Sequence, residues 1–477
     1  MRSLLPLGSL LAIALSAPLC ANASDASPEK YLERDMPENW AYNEYFTQTV
    51  PTDDSWWKTF EDPCLDSLIN EGVNNNYNVA IAAHRIKIAS QAVNQARSAY
   101  FPTVNLSAGW QKSRNSGGLG DALNDASVSD YFSLGLNMNW EIDVFGKITS
   151  KVKSSKSAYD ATRAEYAAVM TALCANIAKS YVTLRMYQAE YQVAMEHIGS
   201  QGKIVKITEA RHEAGLASML DVAQARMVYY STQASVPGLE SAIHTTINSL
   251  AILTGVYPDS IYERLEIARE MPDYHQMVPV GAPAQLLRRR PDIVEAEFQL
   301  AQYAAQLGIA KKDFLPTLSL NASIGTAAHD AGNLFKNQTF TYTIAPTLSW
   351  TIFDGMSRRA NVISAREQME VGIDNYNLTV MTAVEEVDNA ISTYMASLKN
   401  IDVLNDVIDN SKQSLDLSVD LYKKGLNPCT DVVNAQMNYL SYQNSIIESK
   451  GKALSALISL YEALGGGWDP NQSQLNL

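Results

Sequence analysis

The sequence predicts an internally repeated α+β membrane protein, with four β-strands set in an otherwise helical chain. Three observations carry this. A strand-forming stretch near residue 101 returns near residue 315, each time followed by a second strand. Behind each pair of strands lies an unusually long stripe of apolar residues at helical spacing. Each long stripe ends in a matched turn, with Gly215 and Gly425 standing 210 residues apart, as do Asp221 and Asp431.

In the first strand Val104, Leu106, Ala108 and Trp110 alternate with Asn105, Ser107, Gly109 and Gln111, which is period two. Phe132 to Trp140 and Phe340 to Trp350 alternate in the same way, and Leu315-Pro-Thr-Leu318 opens the third strand. Strands of about ten residues with one apolar and one small polar face suit an outer-membrane β-barrel. The plainer alternative is a pair of ordinary half-buried hairpins. A membrane barrel needs at least about eight strands, and open sheet edges are not tolerated in lipid, so a membrane reading requires several chains to share one barrel.

The chain begins with a segment of secretory type. Arg2 precedes an apolar stretch from Leu4 to Leu19, and Ala21-Asn22-Ala23 offers a cleavage site, so residues 1–23 are expected to be a signal peptide. Cys20 as a lipidation site is the disfavoured alternative, because Leu19 stands where a small residue is expected. The organisation that follows is an N-terminal arm with the first helices (24–100), a first barrel hairpin (101–141) and a first long helix pair (142–256). A connector or equatorial region (257–290) and a helix (291–314) lead to a second hairpin (315–352), a second long helix pair (353–464) and a tail (465–477). One helical pattern is expected from Leu65 to Tyr100, ended by Phe101-Pro102. The loop Ser113 to Asp130 is rich in glycine and aspartate, as mobile exposed loops are. No proline interrupts Lys147 to Glu213, and a helix of that length would extend about 100 Å, which calls for coiled-coil packing. Return helices are expected from about Met219 to Leu253 and Thr430 to Leu464, with Pro237 disturbing the first.

Composition excludes several functions. A net charge of −14 argues against nucleic-acid binding. Six histidines and four cysteines form no metal-ligand spacing, and removing Cys20 leaves an odd set. No uninterrupted apolar run of 18 residues follows the N-terminus, which argues against membrane-crossing helices. No catalytic constellation is found: Gly117-Gly-Leu-Gly120 lacks a nucleotide-loop context, and spacing cannot argue Ser180, His197 and Asp221 into a triad. No enzyme activity, cofactor or metal is expected.

Several motifs together resemble one family. They are Trp57-Lys-Thr-Phe60-Glu-Asp-Pro63, Leu287-Arg-Arg-Arg-Pro291-Asp-Ile293 with Ala296-Glu297, the two Pro-Thr strand starts, and Ala463-Leu-Gly-Gly-Gly-Trp468. The mature chain resembles the TolC-like outer-membrane factors, in the NodT-like branch of efflux-pump channels. The resemblance implies a homotrimer in the outer membrane of a diderm bacterium. Its shared 12-stranded barrel would be continued by a 12-helix periplasmic α-barrel with a mixed α/β equatorial belt. It implies a passive exit duct for drugs or other toxic compounds, partnered by a periplasmic adaptor and an inner-membrane pump. The same duct serving protein or polysaccharide secretion is the alternative, and a periplasmic coiled-coil scaffold is a further one.

The resemblance also implies sites. Tyr422 and Asp431 match the family's periplasmic aperture by position, Asn427 and Asn434 stand where other members carry a basic lock and a carboxylate, and Asp221 and Gln224 take the matching places in the first copy. The alternative for Asp431 is a capping or solvated carboxylate. The turns Gly215-Leu216-Ala217 and Gly425-Leu426-Asn427 are expected to be adaptor-docking tips, the alternative being that both leucines tuck back as helix-end contacts. Ser24 stands where lipidated members carry cysteine before the motif Pro28 to Tyr31, which again favours cleavage after Ala23.

Overall fold

The computed structural model describes Leu32, Met36, Pro37, Trp40 and residues 55–115, 127–272 and 289–466. The expected signal peptide with Cys20, Ser24, most of the arm, the tip of the first loop, Leu287, Trp468 and the tail lie outside the described residues. A 3₁₀ turn at Trp56–Phe60 precedes helices α1 (Pro63–Asn75) and α2 (Tyr77–Ser98) and strands β1 (Thr103–Asn115) and β2 (Ser127–Ile142). Then come α3 (Lys147–Glu213), α4 (Met219–Thr254), α5 (Asp259–Glu266) and α6 (Pro291–Lys312). Strands β3 (Thr317–Ala328) and β4 (Phe340–Ser349) are followed by α7 (Ser357–Lys423) and α8 (Cys429–Ala463). The chain divides into two compact units, with α2, α3, α6 and α7 contributing to both.

One unit holds the sheet. Its four strands run antiparallel in the order β1-β2-β3-β4, so the two expected hairpins are joined through β2 and β3. Register stacks like with like. Leu106, Leu136, Ile324 and Tyr342 form one rung across all four strands, and Val104, Met138, Ala322 and Ile344 form another. The intervening rungs are polar, as in Asn105, Asn137, Ser323 and Thr343. On that polar face Asn137 donates to Ser107 Oγ at 2.9 Å and Asn139 to Asn321 Oδ1 at 2.7 Å. The apolar face stays exposed in the single chain, Leu106, Leu136, Tyr342 and Ile344 included. This corrects the half-buried alternative: among the described residues no helix covers that face. Strands β1, β2 and β3, of 13, 16 and 12 residues, outrun the expected length of about ten because pairing continues into the loop ends, while β4 has 10.

The two ends of the repeat are built alike. Trp140 Nε1 donates to the Tyr100 carbonyl and Trp350 Nε1 to the Phe314 carbonyl, both at 2.9 Å. Asp143 accepts from the backbone of Ile148 and Thr149 at the start of α3, and Asp354 accepts from Arg358 at the start of α7.

The other unit is helical. The single helix expected from Leu65 to Tyr100 is two helices, broken at Asn76. Its side-chain carbonyl accepts from the backbone of Asn78 and Val79, capping α2, while its amide donates to the Leu253 carbonyl at 2.8 Å. A side chain that satisfies both a helix start and a distant carbonyl outweighs one more helical turn. The connector region contains α5, whose Ile261 and Leu265 are buried. α4 runs as one helix through Pro237. A stretch of α3 is apolar enough to cross a membrane by length and composition, but 56% of it is buried inside the protein, where Ile177, Tyr181, Val182 and Leu184 form core. Cys64, Cys174 and Cys429 are free and buried.

Buried arginines explain the sequence motifs. Arg290 donates to both Asp292 oxygens, to Glu386 at 2.7 Å and to the Ala463 carbonyl at 3.1 Å. The Arg-Pro-Asp run therefore bolts the start of α6 to α7 and the end of α8. Arg185, fully buried, donates to Gln188 and to the Ile267 carbonyl and lies 4.7 Å from the Tyr181 ring centre. The Tyr181 hydroxyl donates to Asp62, and burial, with that bond, pushes its pKa up. Trp56 stacks on Tyr461 at 5.3 Å, fastening the N-terminal turn to α8.

Candidate functional site

The two helix tips differ in ways their shared turn sequence conceals. At the first, Gly215 has φ +73 and the Leu216 amide donates back to the Arg211 carbonyl at 2.8 Å. At the second, Gly425 has φ +73 and the Leu426 amide donates to Leu421 at 3.0 Å. This is the helix stop that a left-handed residue permits, and glycine adopts it without cost. Neither leucine folds back: Leu216 is 69% and Leu426 71% exposed, and Met219 and Leu220 beside them are exposed as well. Ala217 is half-buried, its carbonyl accepting from His212 Nδ1 at 2.9 Å, and Asn427 is half-buried.

The return helices start differently. Ser218 and Asp221 form a capping box at the start of α4, with the Ser218 hydroxyl accepting from the Asp221 amide and the Asp221 carboxylate accepting from the Ser218 amide at 2.8 Å. In the second copy Pro428 stands in place of Ser218 and provides no side-chain cap. Asp431 is exposed, and its carboxylate has no hydrogen bond or ion pair among the described residues. Thus the carboxylate at the first tip is spent on its own helix and its repeat mate is free. Asn434 is likewise exposed, while Gln224 Oε1 accepts from the Thr430 hydroxyl at 3.2 Å, linking α4 to α8.

Tyr422 lies in the core of the tip. It is 3% exposed and packs with Ile204, Ala225, Val228, Cys429, Val432 and Val433. Its hydroxyl donates to Thr208 Oγ1 at 3.3 Å, so its hydrogen bonding runs to α3 of the same chain. Burial pushes the Tyr422 hydroxyl pKa up, and the Cys429 thiol likewise. Sequence reasoning missed Arg211. Its guanidinium lies 4.8 Å from the Tyr422 ring centre and donates to the Tyr422 and Lys423 carbonyls at 2.8 and 3.1 Å. The available signal was a basic residue in the last turn of α3, but its partners are the orphan carbonyls that end α7, more than 200 residues away. With Gln224–Thr430 and Thr208–Tyr422, this contact ties the first helix pair to the second at the tip.

A groove of about 1020 Å³ lies between α3, α7 and α8. Glu190 and Glu448 line it together, with Lys179 and Glu462 paired at 2.7 Å. Burial, and then the Glu448 charge, raises the Glu190 pKa. Among the described residues no group of His, Cys, Asp or Glu could hold a metal ion.

The family model described as outer membrane efflux protein matches residues 68–256 and 282–466. The solvent efflux pump outer membrane protein SrpC of Pseudomonas putida is 30% identical over 418 residues, 87% of each chain. The probable efflux pump outer membrane protein TtgC of P. putida strain KT2440 is 27% identical over 475 residues, 98% of this chain and 97% of TtgC. The structure of the outer membrane protein VceC of Vibrio cholerae is similar with a TM-score of 0.80 at 27% identity, covering 88% of this chain and all of VceC.

Proposed function

The chain belongs to the outer membrane efflux protein family, and on that footing we propose how its residues divide the work of an exit duct. It is the outer-membrane duct of a tripartite efflux system, a homotrimer that exports small molecules delivered by an inner-membrane pump through a periplasmic adaptor. Three chains supply twelve strands to one barrel and twelve helices to one periplasmic α-barrel.

One observation carries this reading at the level of physics: a four-stranded meander with one exposed apolar face and, among the described residues, unpaired outer edges on β1 and β4. Lipid satisfies the face but not the edges, which must pair with strands of neighbouring copies. Exposed Leu378, Met381, Val403 and Leu417 on α7 supply an apolar surface for those copies. SrpC is named for solvent efflux, and the cargo here is read as small organic toxicants of that kind. The duct does no chemistry on its cargo; the pump supplies the energy.

The aperture is read at the second tip. Three copies of Asp431, each without a partner among the described residues of its own chain, would form a ring of negative charge that attracts cations. Asn434 stands one turn further along α8 and Tyr422 holds the helix end in place from within, while Asp221 and Gln224, in the first copy, brace the adjoining helix pair. The exposed Leu216 and Leu426, with their flanking turn residues, are read as the adaptor-docking tips. The test is the mass of the detergent-solubilised protein together with its conductance in planar bilayers. A trimer that conducts is expected; a monomer that conducts would overturn the shared barrel.

A further inference from the structure

Both long helices begin with basic residues, although a helix N-terminus favours acids. α3 opens Lys147-Ile-Thr-Ser-Lys151-Val-Lys153-Ser-Ser-Lys156, and α7 opens Ser357-Arg358-Arg359, with no acid in the first turn of either. Nearby acids do not answer this charge. Asp143 is spent on the backbone of Ile148 and Thr149, Asp313 pairs with Lys147 at 2.6 Å, and Asp354 pairs with Arg358 at 2.6 Å. Glu141 sits beside Ser319 in a rung of the polar face.

What remains is a set of unanswered cations. Arg97, Lys151, Lys153, Lys156, Lys311 and Arg359 are exposed and have no hydrogen bond or ion pair among the described residues. They come from α2, α3, α6 and α7, the four helices that enter or leave the sheet at one end, and all lie in the sheet-bearing unit. The farthest along its helix, Lys156, is nine residues past Lys147, about 14 Å. Between these cations and the apolar sheet face stand exposed Phe101, Val144, Phe145, Trp350, Ile352 and Phe353. The order along the unit is therefore apolar face, aromatic and aliphatic fringe, then unpaired positive charge, as in chains seated at a membrane interface. In a chain of net charge −14 this reversal of sign is local.

We infer that these six cations form a collar that binds the phosphodiester headgroups of anionic phospholipids at the periplasmic surface of the outer membrane. Lysine stems lie along the apolar fringe while their ammonium groups reach the headgroups, and the arginines can grip a phosphate with two parallel N–H donors. Several basic residues beside a spanning segment are the pattern that anionic lipid recognises. The collar sets the depth of the barrel by holding its helix-bearing end at the headgroup level. This rests on the sheet lying in the outer membrane, which conductance measures separately.

The test extracts the full-length trimer from vesicles of equimolar phosphatidylglycerol and phosphatidylcholine and counts bound lipids by native mass spectrometry. The wild type should retain phosphatidylglycerol over phosphatidylcholine about ten-fold. The variant Lys151→Gln/Lys153→Gln/Lys311→Gln/Arg359→Gln should fall below two-fold, and the charge-keeping variant Lys151→Arg/Lys153→Arg/Lys311→Arg/Arg359→Lys should restore the preference. A wild-type trimer that conducts in bilayers yet shows no headgroup preference overturns the collar and leaves the duct intact. A wild type that does not conduct strikes the duct reading itself. A glutamine variant that keeps its lipid preference but loses efflux assigns the cations to an acidic protein partner and overturns the inference as well.

Discussion

Replacing Leu136 by arginine should prevent assembly, whereas the same change one residue along, Asn137→Arg, should not. Leu136 belongs to the rung Leu106–Leu136–Ile324–Tyr342 on the apolar face, and Asn137 to the rung Asn105–Asn137–Ser323–Thr343 on the polar face. The apolar rungs run along β2 from Phe132 to Ile142, ten residue steps or roughly 33 Å of strand. At the tilt usual for such barrels, about 45°, that corresponds to about 24 Å of height, close to the apolar band of outer-membrane proteins. Asn137 is the midpoint, so Leu136 sits within a few ångström of the midplane, where arginine costs about 2–4 kcal/mol. Three chains share the barrel, so the assembly loses about 6–12 kcal/mol, enough to shift a trimer with ordinary stability to unassembled chains. Asn137→Arg forfeits the exposed hydrogen bond to Ser107, about 1 kcal/mol at most, and places its charge in water. Heat-resistant trimer on gels, and mass in mild detergent, read the outcome directly. Equal assembly of the two variants, in either direction, would refute the assignment of faces and the barrel with it.

Leu216→Ser combined with Leu426→Ser should abolish efflux while leaving trimer abundance unchanged; loss of the trimer would show that the leucines serve folding instead of docking. Asp431→Ala should lower cation selectivity in planar bilayers, and adding Tyr422→Phe, which removes the bond to Thr208, should raise resting conductance. Wild-type values in that double variant would take Asp431 out of the aperture. Glu190→Gln should be stabilising at pH 7.5 and without effect near pH 4. Burial and Glu448 raise the Glu190 pKa, so its contribution to stability is full below the unfolded value of about 4.3 and is lost as pH rises through the folded value. Melting curves of the variant and wild type at the two pH values check this, and a greater gain at pH 4 would contradict the sign.

Much of the architecture was legible in local pattern. Alternation at residues 104–110, 132–140 and 340–350 identified the strands and assigned their two faces, because side chains on a strand point to opposite sides whatever lies around it. The long stripes from Lys147 and toward Leu421 announced the two long helices, and Gly215 and Gly425 their ends, because a backbone with φ +73 excludes most other residues at little regard for context. The resemblance of the motifs to a known family was likewise present in the residues alone. Less was legible at the candidate site. Asp221 and Asp431 occupy equal places in the repeat, and the difference between them turns on whether serine or proline precedes the helix: Ser218 completes a capping box with Asp221, whereas Pro428 offers no side-chain cap.

Tertiary structure decided what depends on residues far apart in the chain. The junction of the two hairpins through β2 and β3 joins segments about 190 residues apart and sets the register that makes the apolar rungs continuous. The break at Asn76 required the Leu253 carbonyl to receive its amide. The burial of Tyr422 required Thr208 and Arg211 from the other copy, and the grip of Arg290 required Glu386 and the end of α8. Sequence alone determined the strands with their faces and the long helices, since backbone geometry and side-chain periodicity are properties of neighbours along the chain. Which orphan carbonyl a guanidinium would satisfy, and which of two like carboxylates would be left free, was settled only when packing brought distant groups within hydrogen-bonding distance, because a buried polar group takes the partner the fold puts within reach.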